Sequence, residues 1–182
     1  MRVIAGERKG HNLKTPEGLS TRPTSDKVKG SLFSMLQDFV YGKTVLDLFA
    51  GSGALGIEAL SRGAHSCVFI DTDFKARACI KDNLSHTKLE GVILNSDSIT
   101  YLKTCTTTFD LIFIDPPYNK GLSAKALEII SERKLLNPGG FISVETDEIE
   151  PPLPDYDGLL CVKDKRYGRI SLKIYKNSID YL

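Results

Sequence analysis

Long hydrophobic runs are absent from this chain of 182 residues. Its apolar stretches, such as residues 111–114, reach about four residues, whereas a membrane-spanning helix needs roughly 20. The first ten residues, MRVIAGERKG, also lack the apolar segment of a secretory signal. We therefore expect a protein that does not enter a membrane and that stays in the cytoplasm.

Cysteine pairs at metal-ligand spacing and an excess of one charge are also missing. The four cysteines, at positions 67, 79, 105 and 161, form no CxxC or Cys/His pair, which argues against a zinc site. The net charge of +1 gives no information about partners. The 41% hydrophobic content excludes disorder, and the length fits one core. We therefore expect a single domain over residues 1–182 and no bound metal.

The charges are unevenly distributed along the chain. Residues 1–30 contain seven basic and three acidic side chains. A second basic stretch covers residues 163–176, and it follows an acidic segment at residues 145–157. Either basic stretch alone is typical of a solvated face. If the two stretches meet in space, they form a surface suited to phosphates.

Strand and helix patterns alternate along most of the chain. Strands are predicted at residues 44–49, 66–71, 91–95, 109–115 and 140–145, and helices at 54–62, 74–87, 98–103 and 123–133. This alternation predicts an α/β fold with a doubly wound, mostly parallel sheet. A small hairpin and a helix precede it, and residues 159–164 and 169–176 predict a final antiparallel hairpin. We therefore expect a basic N-terminal extension at residues 1–42 and a ligand-binding core at residues 43–182.

The sequence DLFAGSGALG, at residues 47–56, follows the first core strand and contains Gly51, Gly53 and Gly56 in a GxGxxG pattern. Such glycines let the backbone turn tightly against a ligand, and Asp71, at the end of the next strand, could hold a ribose. A dinucleotide and S-adenosylmethionine (SAM) both fit this pattern. Asp47 favours SAM, because a carboxylate opposes a pyrophosphate but pairs with the cationic amino group of SAM. The alternative role of Asp47 is to cap the loop backbone.

The sequence DPPY, formed by Asp115, Pro116, Pro117 and Tyr118, follows a predicted buried strand. The carboxyl edge of a parallel sheet is where ligands bind, and two prolines make a stiff ledge that offers only hydrogen-bond acceptors. Such a ledge suits an exocyclic amine of a nucleobase, whose proton Asp115 could receive. Tyr118 offers an aromatic face to a base swung out of its stack. The alternative is a rigid turn whose ring packs on the core.

Together, these features resemble the SAM-dependent Rossmann-like methyltransferases, and DPPY resembles the subset that modifies exocyclic amines of nucleobases. TRPTSDKV at residues 21–28, NSD at 95–97 and YGR at 167–169 stand in the order of the bacterial RsmD family. That family methylates the guanine N2 amine of 16S ribosomal RNA. The resemblance covers nearly the whole chain, and TRPTSDKV is its most specific element.

The resemblance implies a role for individual residues. The methionine moiety of SAM would be held by Asp47, Phe49, Gly51 and Gly53, the ribose by Asp71 and the adenine amine by Asp97. Asp115, Pro116, Pro117 and Tyr118 would form the catalytic ledge, while Asp73 and Ser98 would cap helices. Because Gly53 would leave space for the ligand, we expect Gly53→Val to abolish SAM binding.

The resemblance also implies the substrate, which is 16S ribosomal RNA in the small ribosomal subunit or in an assembly intermediate. We expect a monomer that neutralises RNA phosphates with five basic side chains, namely Arg2, Arg8, Lys9, Lys14 and Arg22.

Other functions explain fewer of the motifs. A DNA adenine or other exocyclic-amine methyltransferase is the main alternative, because DPPY does not identify the base. A protein glutamine methyltransferase is less favoured, since that group typically has Asn at the position of Asp115. An NAD-dependent oxidoreductase would not need DPPY, and a non-catalytic RNA-binding module would need neither ligand motif.

Overall fold

The computed structural model describes residues 1–16, 26–118 and 120–178. Arg22, which we predict to contact RNA, lies outside the described residues, as do the first five residues of TRPTSDKV.

A seven-stranded sheet forms the centre of the described part of the chain. Its strands are β1 (Thr44–Asp47), β2 (Ser66–Ile70), β3 (Val92–Leu94), β4 (Phe109–Ile114), β5 (Leu136–Asp147), β6 (Leu159–Tyr167) and β7 (Ile170–Asn177). The spatial order is β3-β2-β1-β4-β5-β7-β6, and the first five strands in that order are parallel. Strand β7 runs antiparallel to both β5 and β6. The predicted doubly wound sheet with a final antiparallel hairpin is therefore confirmed.

Five α-helices accompany the sheet within the described ranges: α1 (Asp26–Leu36), α2 (Ala54–Ser61), α3 (Phe74–Thr87), α4 (Ser98–Thr104) and α5 (Leu122–Arg133). A short 3₁₀ helix, Gln37–Val40, continues α1. Most predicted boundaries agree to within one or two residues. The largest difference is at β5, which begins four residues earlier than predicted, beside a register shift between Phe109 and Leu111 of β4.

Helices α3 and α4 each begin at an aspartate. The side chain of Asp73 accepts hydrogen bonds from the backbone N–H groups of Lys75 and Ala76, as predicted. The prediction that Ser98 caps α4 is wrong. Asp97 accepts the N–H of Thr100, whereas the Ser98 hydroxyl donates to the carbonyl oxygen of Leu48. Ser98 already lies inside the helix, and a capping side chain belongs to the residue before the first turn.

Two apolar layers cover the two faces of the sheet, because successive residues of a strand point to opposite sides. Val45, Leu111 and Phe113 pack with α1, α2 and α3 on one face. Leu46 and Ile112 pack with α4 and α5 on the other face. No helix among the described residues is long and apolar enough to span a membrane.

The predicted N-terminal hairpin is present as one antiparallel bridge between Arg2 and Asn12. It is fixed to α2 by Glu58, whose carboxylate accepts the backbone N–H groups of Ile4 and Ala5 at 2.8 and 3.0 Å. The ammonium group of Lys29 lies 3.3 Å from the same carboxylate, and both side chains are fully buried. A buried ion pair therefore joins α1, α2 and the hairpin.

Candidate active site

A cavity of about 500 Å³ opens at the carboxyl edge of the parallel strands. Most of the predicted site residues line it, namely Asp47, Phe49, Gly51, Asp71, Asp97, Asp115, Pro116, Pro117 and Tyr118. Parallel strands end at the same edge, so residues that follow β1, β2, β3 and β4 meet there although up to 71 positions separate them. The fold therefore brings the glycine loop and the DPPY ledge into one space.

Asp47 ends β1 and is 2% exposed. Its carboxylate accepts the backbone N–H of Gly56 at 3.0 Å, so the loop-capping role is present alongside its position in the cavity lining. Burial raises the pKa of Asp47 to about 7; the charge of Asp71 acts in the same direction and the Gly56 hydrogen bond opposes it. A ligand cation near this carboxylate would offset the cost of ionising a buried acid.

Asp71 follows β2 and shapes the glycine loop. One carboxylate oxygen accepts the N–H of Gly51 at 2.9 Å, and the other accepts the N–H of Asp73 at 2.8 Å. A carboxylate has about four lone-pair sites, so two hydrogen bonds leave acceptor capacity toward the cavity. The position is suited to ribose hydroxyls.

The two glycines predicted to contact the cofactor differ in position. Gly51 lines the cavity with a φ of +55°, and a Cβ there would meet no atom within 4 Å. Gly53 has a φ of +77°, but a Cβ there would lie 3.2 Å from Ile80 and 3.3 Å from Ile57 in the core. A larger side chain at Gly53 would enter the core, so the expectation that Gly53→Val fills the cofactor space is wrong.

The DPPY ledge follows β4 directly. Pro116 is buried, while Asp115, Pro117 and Tyr118 are half-buried and line the cavity. The Tyr118 hydroxyl donates a hydrogen bond of 2.8 Å to Glu145 on β5. Burial raises the pKa of Tyr118, and the negative charge of Glu145 raises it further, so the hydroxyl remains protonated at neutral pH. The ring therefore lies in the cavity lining, with its hydroxyl tied to the sheet.

The described basic residues of the extension differ in their contacts. The side chain of Arg2 is exposed and lies 3.9 Å from Asp26, and that of Lys14 lies 3.0 Å from Asp82 on α3. Lys9 is exposed. Arg8 is half-buried, and its Nε has no hydrogen-bond partner among the described residues. The same segment borders the cavity, which Met1, Thr15 and Pro16 help to line.

At least three of the six basic residues in the second basic stretch are paired with acids. Arg166 lies 3.0 Å from Glu148, Arg169 lies 3.2 Å from Asp147, and Lys173 contacts Asp164. At the β6–β7 turn, the Tyr167 hydroxyl contacts that of Ser31 on α1. This stretch meets the N-terminal part of the chain through hydroxyl groups, and its ion pairs reduce the positive charge that it offers to phosphates.

Some residues of the site were not predicted from the sequence. Met1, Thr15, Pro16, Lys120 and Leu122 line the cavity without any motif that marks them. Glu145 could have been identified from the sequence, because it is an acid at the end of the predicted strand 140–145, at the edge of the sheet where ligands bind. No group of three or more metal-binding side chains occurs within the described ranges.

Comparisons with known proteins identify a family and several relatives of this chain. The family model described as "Conserved hypothetical protein 95" matches residues 1–176. "Putative rRNA methyltransferase YlbH" of Bacillus subtilis is 44% identical to the chain, covering 97% of it and 98% of the relative. "Ribosomal RNA small subunit methyltransferase D" of Haemophilus influenzae is 35% identical, covering 97% and 94%. A solved structure, "Putative methyltransferase yhhF from Escherichia coli", superimposes with a TM-score of 0.86 at 31% identity and 97% coverage of both chains.

Proposed function

Because this chain belongs to the RsmD family, the family of these relatives, we propose that it transfers the methyl group of SAM to the exocyclic N2 amine of a guanine in 16S ribosomal RNA. One observation carries the proposal: the DPPY ledge and the buried carboxylate of Asp47 line the same cavity. An acid-lined site accepts a cationic cofactor, and an acceptor-only ledge accepts an amine.

The cavity suits SAM in charge and in shape. Asp47 would pair with the amino group of the methionine moiety, and Phe49, Gly51 and Gly53 would complete the loop around it. Asp71 would accept from the ribose hydroxyls, and Asp97, which is exposed at the start of α4, would accept from the adenine amine. When bound, SAM supplies a methyl group on a positively charged sulfur.

The ledge would prepare the guanine for transfer. The N2 lone pair is conjugated with the ring, so the amine is a weak nucleophile until its hydrogens are held out of the ring plane. Asp115 and the backbone carbonyls of the prolines would hold those hydrogens. The bound SAM would supply the methyl group and would keep the electron pair of the broken C–S bond, while N2 would form the new N–C bond. Asp115 would accept the surplus N2 proton and pass it to solvent.

The N-terminal segment would bind the RNA. Arg2, Arg8, Lys9, Lys14 and Arg22 would contact phosphates, which position the protein without reading the base sequence. Met1, Thr15 and Pro16 of this segment help to line the cavity, so the contacted phosphates would lie near the target base. We propose a monomeric cytoplasmic enzyme that recognises the shape of the small subunit or of an assembly intermediate.

A transfer assay with labelled SAM tests the proposal. Purified protein is incubated with methyl-labelled SAM and with small ribosomal subunits, naked 16S RNA or duplex DNA. We expect label in the RNA of subunits, and we expect Asp115→Ala to lower the rate by at least about 100-fold, while SAM affinity stays nearly unchanged. Preferential labelling of DNA would favour the DNA adenine alternative and contradict the proposal.

A further inference from the structure

We propose that Glu145 is a positioning residue, which fixes the Tyr118 ring so that one ring face is presented to the target base. The inference rests on the proposed function, because it assigns a role within the same reaction. It starts from the 2.8 Å hydrogen bond between the Tyr118 hydroxyl and Oε1 of Glu145.

Glu145 is a rigid anchor. It is 7% exposed and lies near the end of β5, where the strand is paired on both sides. On one side, the neighbouring Val144 pairs with Ile114, the last residue of β4. On the other side, Glu145 itself pairs with Leu172 of β7. The carboxylate therefore belongs to the sheet, whereas Tyr118 belongs to the loop that follows it.

Tyr118 needs such an anchor. Pro116 and Pro117 restrict the backbone of the ledge, but they do not set the side-chain torsions of the next residue. The hydroxyl lies at the far end of the ring from Cα. A bond there, together with the backbone at the near end, fixes the long axis of the ring and leaves its faces available for stacking.

The chemistry of the pair suits a permanent contact. A hydrogen bond to a carboxylate is shorter and stronger than one between neutral groups. Because its pKa is raised, Tyr118 keeps its proton and remains the donor throughout the neutral range.

A double-mutant cycle with Glu145→Ala and Tyr118→Phe tests the role in transfer. Each single variant removes the same bond, so we expect each to lower kcat about tenfold while leaving SAM affinity and the KM for SAM unchanged. The double variant should be no slower than the slower single variant, because the shared bond can be lost only once. Glu145→Gln retains an acceptor oxygen and should recover most of the rate. Glu132→Ala, an exposed glutamate on α5, is the control for loss of one negative charge.

A second measurement does not depend on activity. In a sample with ¹³C-labelled tyrosine rings, the signal of Tyr118 is assigned as the one missing from Tyr118→Phe. We expect its order parameter to fall in Glu145→Ala and to stay at the wild-type value in Glu145→Gln and Glu132→Ala. An unchanged Tyr118 order parameter in Glu145→Ala would overturn the inference. A double variant whose loss of kcat equals the product of the two single-variant losses would also overturn it. Failure of the wild-type protein to methylate ribosomal RNA would contradict the proposed function, while the ring measurement would still decide the role of Glu145.

Discussion

The buried carboxylate of Asp47 accepts the backbone N–H of Gly56 at 3.0 Å across the glycine loop. This single hydrogen bond only partly offsets the burial that raises the pKa of Asp47 to about 7. The loop therefore presents an acid that gains from a cationic ligand. Cofactor binding and protonation of Asp47 should compete.

SAM affinity is predicted to depend on pH through Asp47. If only the ionised carboxylate pairs with the ligand amine, the affinity rises about tenfold per pH unit below pH 7 and levels off above it. The pKa of Asp47 is higher in the folded protein than in the unfolded chain. The protein without ligand therefore loses stability as pH rises from about 4 to about 7. Calorimetric titration with SAM between pH 5.5 and 8.5 measures the affinity, and Asp47→Asn should remove the dependence. An affinity of the wild-type protein that is constant below pH 7 would contradict the role of Asp47.

A side chain at position 51 of the glycine loop is predicted to block cofactor binding. Gly51→Asn should weaken SAM binding at least tenfold, because asparagine tolerates the positive φ and its side chain would enter the open cavity. Gly42→Asn is the control, since Gly42 also has a positive φ and space for a Cβ but is not part of the described cavity lining. Equal SAM affinities of the two variants, measured by calorimetry, would argue against this placement of the ligand.

The buried pair of Lys29 and Glu58 is predicted to hold the N-terminal hairpin on the core. Lys29→Met should lower the free energy of unfolding by about 3–5 kcal/mol, because it leaves a buried carboxylate without its ammonium partner. Lys27→Met, on the exposed side of α1, should change it by less than about 0.5 kcal/mol. Urea unfolding compares the two variants. A loss below about 1 kcal/mol in Lys29→Met would show that the neighbouring Arg62, 2.8 Å from Glu58, is a sufficient partner.

The RNA-binding surface is predicted to lie on the N-terminal hairpin. Replacing Arg8, Lys9 and Lys14 with Ala should weaken subunit binding and reduce its salt slope by roughly three units, while SAM affinity is kept. The control removes three exposed lysines beside the opposite face of the sheet, with Lys103→Ala, Lys125→Ala and Lys134→Asn. Asparagine is chosen at 134 because the backbone there has a φ of +54°. If the hairpin variant and the control variant bind subunits with the same affinity across a salt series, the RNA-binding surface lies elsewhere.

The sequence predicts the strand–helix order and the location of Asp47, Asp71 and Asp115, because periodicity defines the strands and parallel strands end at one edge. It does not predict the partner of a buried charge, since Lys29 and Glu58 are 29 positions apart and meet only through the packing of α1 on α2. One signal was available: Glu58 is the one charged residue in the apolar helix ALGIEALS. The sequence also does not show that a side chain at position 53 would point into the core. The GxGxxG pattern does not distinguish a glycine that lines the cavity from one that faces the core.

The identity of the methylated nucleoside tests the central claim most directly. Small-subunit RNA from a reaction with methyl-labelled SAM is digested to nucleosides and separated by chromatography with mass detection. We expect the label in N2-methylguanosine, formed at least about 100-fold more slowly with Asp115→Ala. Label in N6-methyladenosine, or in any nucleoside other than N2-methylguanosine, would contradict the proposed function.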